Sequence, residues 1–276
     1  MPKDMTESAV ARYHETGYHF PIDVLSAAEA RAYRDRLESY ETRTGGPLQG
    51  SMRHKSHLLF PWLNELIRDA RILDPVEAIL GPDLLCFSSS FFIKEAADPG
   101  YVSYHQDATY WGLDKPDVIT AWVAFTPANL VNGCMKFMPA SHTTPVAHRD
   151  TFHKDNLLTR GQEIEVEVDE SKGVAVELAA GQMSLHHVML VHGSAPNRSN
   201  DRRIGYAIRY IPTRLKQIVG QGHATLVRGT DRFGHFTPEP APDGEASPSA
   251  LEVHEAVTGE QVKVLYRGTD RGAYRS

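Results

Sequence analysis

The chain has 276 residues, a formal net charge of −6, and 41% hydrophobic against 23% charged residues. This composition is typical of a folded globular protein, and the acidic balance disfavours a nucleic-acid binder that depends on a broad basic surface. No apolar run approaches the roughly 18 residues of a membrane-spanning helix, and the N-terminus has no apolar signal core, so we expect a cytoplasmic protein that binds neither nucleic acid nor membrane.

The N-terminal part, residues 1–82, is predicted to be mostly helical. Residues 5–20 indicate a short helix followed by an extended segment. Ser26 and Glu29 have the spacing of a capping box, which predicts the start of a second helix. Leucine, isoleucine and valine at helical spacing predict one or two further helices between residues 57 and 80.

The middle of the chain, residues 83–213, changes to short segments rich in β-branched and aromatic residues. About eight strands after N-terminal helices predict a mainly β protein with flanking α-helices, built as a jelly roll. The predicted strands are Leu84–Lys94, Tyr101–His105, Val118–Thr126, Met135–Met138, Glu163–Val168, Val174–Leu178, Met183–His192 and Arg203–Tyr210. The alternation in residues 164–168 predicts one solvent-exposed face for that strand.

The C-terminal part is polar and rich in glycine and proline. Residues 214–250 are predicted to be a loop that closes over the site as a lid, and residues 251–276 a tail without assigned structure. There is no internal repeat and no second hydrophobic core, so residues 1–276 are interpreted as a single domain, present as a monomer or homodimer. The two cysteines, Cys86 and Cys134, are expected to be buried thiols.

Chemistry concentrates in a His-x-Asp motif at the end of a predicted strand. Residues i and i+2 of an extended chain point the same way, so His105 and Asp107 can present a nitrogen and an oxygen to one metal ion. His192, which follows another apolar strand, is the best candidate for a third ligand. Two histidines and one carboxylate form the facial triad of non-heme Fe(II) oxygenases, although an isolated His-x-Asp also occurs by chance.

Eleven residues after His192 lies Arg203, in the next predicted strand. An inward-facing arginine has a planar fork that matches a carboxylate. The joint pattern therefore suggests a metal-bound dicarboxylate whose far end is held by Arg203. The alternative is that Arg202 and Arg203 form a solvated pair on an edge strand.

Candidates for the substrate pocket are Lys94, Phe92, Trp111 and His186. Strand parity within the predicted strand 183–192 places His186 on the face of His192, although a hydrogen-bonded core histidine is an equal alternative. Several cationic residues near the predicted pocket suggest a carboxylate, phosphate or phosphonate group on the substrate, with ordinary surface charges as the alternative. These further candidates are Arg53, His54, Lys55, Ser56, His57, Ser88, Arg214 and Lys216.

Six segments between about Thr16 and Thr213 resemble the phytanoyl-CoA dioxygenase family of Fe(II)- and 2-oxoglutarate-dependent oxygenases. They are Phe91–Lys94, Tyr104–Trp111, Thr120–Thr126, Asn132–Met135, Met138–His142 and His192–Asn197. The family usually has glycine where Ala140 stands, which we take as a harmless departure. The resemblance implies a double-stranded β-helix, a cupin-like jelly roll, in agreement with the strand count.

The resemblance also implies residue roles. His105, Asp107 and His192 resemble the iron ligands, and Arg203 and Ser194 resemble the residues that hold the C5 carboxylate of 2-oxoglutarate. Trp122 and Trp111 resemble aromatic walls near the cosubstrate and the iron. The cofactors implied are Fe(II), 2-oxoglutarate as cosubstrate, and O2.

The function expected from this pattern is the hydroxylation, or another oxidation, of an aliphatic carbon in a small polar metabolite or natural-product intermediate, with release of succinate and CO2. One alternative is a non-catalytic, cupin-like metal-binding protein. Another is an iron- and 2-oxoglutarate-dependent halogenase, which the presence of Asp107 disfavours because related halogenases have a small residue at that position.

Overall fold

The computed structural model describes residues 5–270 and residue 274. Its helices are α1 (Glu7–Thr16), α2 (Ala27–Thr44), α3 (Pro61–Leu66), α4 (Ala70–Leu80) and α5 (Pro248–Leu265). The predicted capping box is present, since Ser26 and Glu29 satisfy each other's backbone N–H groups at the start of α2. Among the residues described, no helix is both long enough and apolar enough to cross a membrane.

The strands form a large and a small antiparallel sheet, with β6 and β7 as a separate pair. The large sheet has the order β1-β9-β4-β11-β2-β12-β13 and the small one β3-β10-β5-β8. The strands are β1 (Tyr18–Asp23), β2 (Leu84–Lys94), β3 (Val102–His105), β4 (Ile119–Ala124), β5 (Met135–Phe137), β6 (His148–Asp150), β7 (Gln162–Ile164), β8 (Val174–Val176), β9 (Gln182–His187), β10 (His192–Ser194), β11 (Arg203–Pro212), β12 (His223–Arg228) and β13 (Thr237–Pro238). Among the strands described, the β12–β13 pairing alone is parallel.

The two faces of the large sheet have different partners. Along β11, Ile204, Tyr206 and Ile208 belong to a hydrophobic core that also contains leucine, isoleucine and valine side chains of α3 and α4. The residues of opposite parity include Ala207, which packs with Phe137 of the small sheet in a second core. Because successive side chains alternate between faces, Arg203 and Arg209 share the face of Ala207, between the sheets.

Some predicted strands differ from those observed. The predicted strand Met183–His192 is two strands, β9 and β10, which belong to different sheets. A turn separates them, closed by a hydrogen bond from the Leu190 backbone N–H to the His187 carbonyl oxygen. Within the predicted strand Glu163–Val168, only the first two residues lie in a strand, β7, which pairs with β6.

The predicted loop at residues 214–250 is also wrong in part, because it contains β12, which adds to the large sheet beside β2. The segment after β13 is anchored by an ion pair, because Glu239 is buried and contacts the Lys55 ammonium and the His57 ring. The expected tail beyond residue 250 is mostly the helix α5. Its start carries a clear signal, since Ser247 is the N-cap and Pro248 the first helical residue.

Candidate metal centre and cosubstrate chamber

The three predicted metal ligands lie together between the two sheets. One ligand atom each of His105, Asp107 and His192 falls within 4.8 Å of the others, and all three residues are buried. His105 ends β3 and His192 begins β10, and these two residues face each other in the antiparallel register. Gln106 continues the extended chain, so Asp107 returns to the same side. Among residues 5–270 and 274, no other group of histidine, cysteine or carboxylate side chains has this geometry.

Backbone carbonyl groups orient both imidazoles. The Nδ1 atom of His105 donates a hydrogen bond to the Ser103 carbonyl oxygen, and Nδ1 of His192 donates to the Leu190 carbonyl oxygen, each at 2.9 Å. This leaves the Nε2 atom of each ring directed towards the shared space, and Nε2 of His105 lies 3.0 Å from Asp107 Oδ1. Such hydrogen bonds are typical of histidines that bind metal ions.

The electrostatics of Asp107 and His192 favour the protonation states that a divalent cation requires. Burial alone would raise the pKa of Asp107, but the hydrogen bond with His105 and the nearby His192 hold it below its usual range. Burial, and then the neighbouring His105, lower the pKa of His192 to about 4. His105, Asp107 and His192 would hold the ion through two imidazole nitrogens and one carboxylate oxygen, a set of ligands that suits Fe(II).

Arg203 lies buried in the same cavity as the triad, which we call the inner chamber. Its Nη1 atom donates to the Gly133 carbonyl oxygen at 2.5 Å, and its guanidinium lies 5.3 Å from the ring centroid of Trp122. Its Nε atom has no hydrogen-bond partner in the described structure, and no carboxylate pairs with it there. Burial lowers its pKa to about 10, so the group stays charged at neutral pH.

A second basic side chain, that of Lys94, lies beside Arg203. The Lys94 ammonium donates to Ser194 Oγ at 2.8 Å and to the Ala195 carbonyl oxygen. Burial, and then Arg203, lower the pKa of Lys94 to about 6. Lys94 itself lines neither the inner chamber nor the outer cavity described below, and it lies behind Ser194, which lines the inner chamber near Arg203. Neither Lys94 nor Arg203 forms an ion pair in the described structure, although Asp98 is near enough to act on the pKa of both, so an incoming carboxylate would be stabilised near Arg203.

The indole of Trp122 lies directly over Gly205. A Cβ atom at position 205 would be 1.8 Å from the indole Cζ2 atom. Glycine is therefore required here because the ring occupies the space of a side chain. Trp122, Ser194 and Arg203, the three residues expected to contact the cosubstrate, all line the inner chamber.

His186, a candidate for the substrate pocket, lines the inner chamber, although parity within one strand was the wrong reason to place it near His192. It lies on β9 of the large sheet and contacts His192 of the small sheet, with ring centroids 4.8 Å apart. Its Nδ1 atom and Thr120 Oγ1, its neighbour in register, are buried without hydrogen-bond partners in the described part of the chain. Both atoms can therefore form hydrogen bonds with polar atoms of a ligand beside the triad.

A larger cavity of about 170 Å³, the outer chamber, adjoins the inner one. Phe92, Asp107 and Arg209 line both chambers, and Trp111 lines the outer one. Its wall also contains residues that sequence reasoning did not select: Tyr110, Asn156, Arg160, Gln261, Leu265 and Tyr274. Most of these lie in loops or in α5, where strand patterns give no signal.

Of the further pocket candidates, Arg53, His54 and Ser88 line the outer chamber. Lys55 and His57 do not line it, and both contact the buried carboxylate of Glu239 instead. Arg214 forms an exposed ion pair with Asp117.

Gln106, between the two ligands of the His-x-Asp motif, fixes the neighbouring loop. Its Nε2 atom donates to the carbonyl oxygens of Thr144 at 2.9 Å and Met189 at 2.7 Å, and its Oε1 atom accepts from the Val146 N–H. Its backbone N–H donates to His148 Nε2 at 2.9 Å. These bonds join the loop that precedes β6 to the loop before His192, and so stabilise the backbone around the triad.

Comparison with known proteins identifies the family. Residues 13–205, more than half of the chain, match the family model for phytanoyl-CoA dioxygenase (PhyH). A protein of Stutzerimonas stutzeri named "probable alpha-ketoglutarate-dependent hypophosphite dioxygenase" is 30% identical over 158 residues, 55% of this chain and 54% of that protein. The phytanoyl-CoA dioxygenase of Arabidopsis thaliana is 25% identical over 57% of this chain and 55% of its own length. The matches thus span only about half of these curated relatives.

Solved structures are similar over nearly the whole chain. The apo form of ThoJ, described as a non-heme monooxygenase, is 33% identical with a TM-score of 0.83, covering 93% of this chain and 97% of its own. CytC3 with Fe(II) and α-ketoglutarate is 24% identical with a TM-score of 0.65, covering 90% and 100% of the two chains, and shows the shared fold. The expected double-stranded β-helix and the iron and 2-oxoglutarate expected from the resemblance are confirmed. The chain belongs to the phytanoyl-CoA dioxygenase family of Fe(II)- and 2-oxoglutarate-dependent oxygenases.

Proposed function

We propose that this protein oxidises an aliphatic carbon of a small polar metabolite or natural-product intermediate, using Fe(II), 2-oxoglutarate and O2, and releases succinate and CO2. The observation that carries the proposal is the composition of the inner chamber. At one end a His-Asp-His triad presents two nitrogens and a carboxylate within 4.8 Å. At the other end a buried guanidinium has no acid partner in the described structure.

In this proposal His105, Asp107 and His192 hold the iron. Arg203, Lys94 and Ser194 bind the far carboxylate of 2-oxoglutarate, and Trp122 forms the wall along it. When bound, the iron and cosubstrate supply the oxidation of a substrate C–H bond by O2. The residues of the chain orient the cosubstrate and exclude water from the space between the sheets.

The substrate is proposed to enter through the outer chamber, because this chamber reaches the triad at Asp107. Its volume exceeds the ~150 Å³ of a protein cavity that admits benzene, so it suits a small molecule. The names of the relatives differ widely in substrate, from hypophosphite to phytanoyl-CoA, and therefore support the reaction class more than any one substrate.

The carboxylate of Asp107 favours hydroxylation over halogenation. The triad already contains an anionic protein ligand, and a halide would have to replace it. A non-catalytic metal-binding protein is also disfavoured, since metal binding alone gives no reason for a buried guanidinium in the same cavity.

An anaerobic titration tests the proposal. Fe(II) and 2-oxoglutarate together should produce a weak visible charge-transfer band, and admission of O2 should then yield succinate. Asp107→Ala should lose both signals, whereas Asp117→Ala, which alters a carboxylate in an exposed ion pair, should keep them. A wild-type protein that binds the metal but shows no band with 2-oxoglutarate would support the metal-binding alternative, and full hydroxylation by Asp107→Ala would refute the ligand assignment.

A further inference from the structure

Arg209 is a buried cation at the junction of the two chambers. It lies on β11, six residues after Arg203 and on the same inward face, and only 7% of it is exposed. It lines both the inner and the outer chamber, together with Phe92 and Asp107. A molecule that extends from the outer chamber towards the triad therefore passes Arg209.

The guanidinium of Arg209 lacks a matching anion. It lies between two aromatic rings, 5.6 Å from the centroid of Phe92 and 5.8 Å from that of Trp111. Its single protein hydrogen bond in the described structure is a long one, 3.5 Å, to the Ala207 carbonyl oxygen, and its Nε atom has no partner there. Asp107 is near enough to influence its charge, but that carboxylate faces His105.

Two other arginines of this region do have acidic partners. Arg160, in the wall of the outer chamber, pairs with Asp150 and donates to the Leu265 carbonyl oxygen. Arg202, next to Arg203 on the opposite face, pairs with Glu41 and Glu95. Burying a charge without a partner is costly, so the environment of Arg209 is that of a binding group.

The surroundings of Arg209 indicate the chemistry of its ligand. The neighbouring Thr120, opposite Arg209 in the register of β4 and β11, has a buried hydroxyl without a partner in the described structure. A guanidinium and a hydroxyl side by side suit the oxygens of a carboxylate, phosphonate or sulfonate. Beyond them, Trp111 and Phe92 offer apolar surface to an organic body of modest size.

We propose that Arg209 binds the anionic group of the primary substrate, so that the protein acts on small organic acids. This inference rests on the proposed function, because it assumes that the oxidised carbon faces the triad. Since Arg209 and Asp107 border the same junction, the carbon that is oxidised lies close to the anionic group, and the remainder of the substrate extends into the outer chamber.

Binding of matched acids and neutral analogues tests this inference. The probes are acetate with acetamide, phenylacetate with phenylacetamide, and methylphosphonate with its dimethyl ester. Each is titrated calorimetrically into the anaerobic protein loaded with Fe(II) and saturating 2-oxoglutarate, which occupies the Arg203 end. At least one acid should bind roughly 10- to 100-fold more tightly than its neutral analogue, as expected for a charged hydrogen-bonded pair.

Two variants and one control locate the effect. Arg209→Gln should abolish the preference for the acid, and Arg209→Lys should retain part of it, while the affinity for 2-oxoglutarate stays within about threefold of the wild type. Arg214→Gln, the same change in an exposed ion pair, should alter neither affinity. Thermal unfolding confirms that each variant is folded, and the conservative lysine variant keeps the test valid if glutamine disrupts the site.

The inference is overturned if no acid binds better than its neutral analogue, or if the preference survives in Arg209→Gln. It is also overturned if Arg209→Gln weakens 2-oxoglutarate binding as strongly as the acid, because Arg209 would then belong to the cosubstrate. Failure of the proposed function gives a different result: the wild type would form no charge-transfer band with Fe(II) and 2-oxoglutarate.

Discussion

Replacing Arg203 by methionine should weaken the binding of 2-oxoglutarate without lowering the stability of the ligand-free protein. Methionine keeps much of the side-chain volume but removes the guanidinium. If Arg203 holds the far carboxylate of 2-oxoglutarate, its loss leaves that carboxylate unpaired in a buried chamber. The cost of breaking such a pair is roughly 2–5 kcal/mol, so 2-oxoglutarate should bind about 30-fold to several thousand-fold more weakly.

The protein without ligand should tolerate the same change. Arg203→Met removes one hydrogen bond, to Gly133, and one contact with the Trp122 ring, each worth about 1 kcal/mol. It also removes a buried cation without an acid partner in the described structure, and the burial of such a cation costs several kcal/mol. The free energy of unfolding should therefore stay the same or increase.

The assay combines anaerobic titration of 2-oxoglutarate with urea unfolding of the ligand-free protein. Arg202→Met is a matched control, because Arg202 points to the other face and pairs with Glu41 and Glu95. It should lose stability and keep its affinity for 2-oxoglutarate, the reverse of Arg203→Met. An unchanged 2-oxoglutarate affinity in Arg203→Met would refute the reasoning, as would a large loss of stability without a change in binding.

Three further predictions concern other parts of the structure. Burial and the neighbouring guanidinium lower the pKa of Lys94 to about 6, so the binding of the 2-oxoglutarate dianion should be coupled to protonation of Lys94. Calorimetry in different buffers should show proton uptake, and the affinity for 2-oxoglutarate should fall as the pH rises above about 6. Lys94→Met should show neither effect, and a variant with the same pH profile as the wild type would contradict this prediction. Gly205→Ala should displace the Trp122 indole, weaken 2-oxoglutarate binding and lower the free energy of unfolding by about 1–3 kcal/mol. The control Gly259→Ala, at a site in α5 with no neighbouring atoms, should leave 2-oxoglutarate binding unchanged and raise the free energy of unfolding by up to about 1 kcal/mol. Glu239→Gln should lower the free energy of unfolding by roughly 3–5 kcal/mol, because the Lys55 ammonium stays buried without its anion. Although burial alone would raise the pKa of Glu239, Lys55 holds it at about 2, so the wild type should lose this stabilisation as the pH falls from about 4.5 towards 2. Urea unfolding at several pH values measures this loss, and the same loss in the variant would refute the prediction.

Local patterns predicted the helices before residue 82 and most strands of the barrel, because capping residues and apolar periodicity act over a few positions. They did not predict β12, whose partner β2 is far away in the chain, or β13, which has two residues and pairs with β12. The departure at Ala140 is less harmless than expected, because this residue has a φ of 60°, in the left-handed region that favours glycine.

For the candidate site, the spacing of histidine, aspartate and arginine, together with the family resemblance, selected residues that meet in the inner chamber. Arg209 was not selected, although it belongs to the same strand as Arg203. Its environment depends on Trp111 and Phe92, which come from separate segments, and on the absence of an acid paired with it in the described structure. A missing partner leaves no pattern in a sequence, so such a residue becomes visible only in three dimensions.

The outer strands of the large sheet have a consequence for self-association. One border is β1, which contains Pro21, and the other is β13, which ends at Pro238. Proline has no backbone N–H to offer a further strand, and β13 is only two residues long. A continuous sheet running from one molecule into the next is therefore disfavoured at both borders, which protects the protein against fibre-like aggregation.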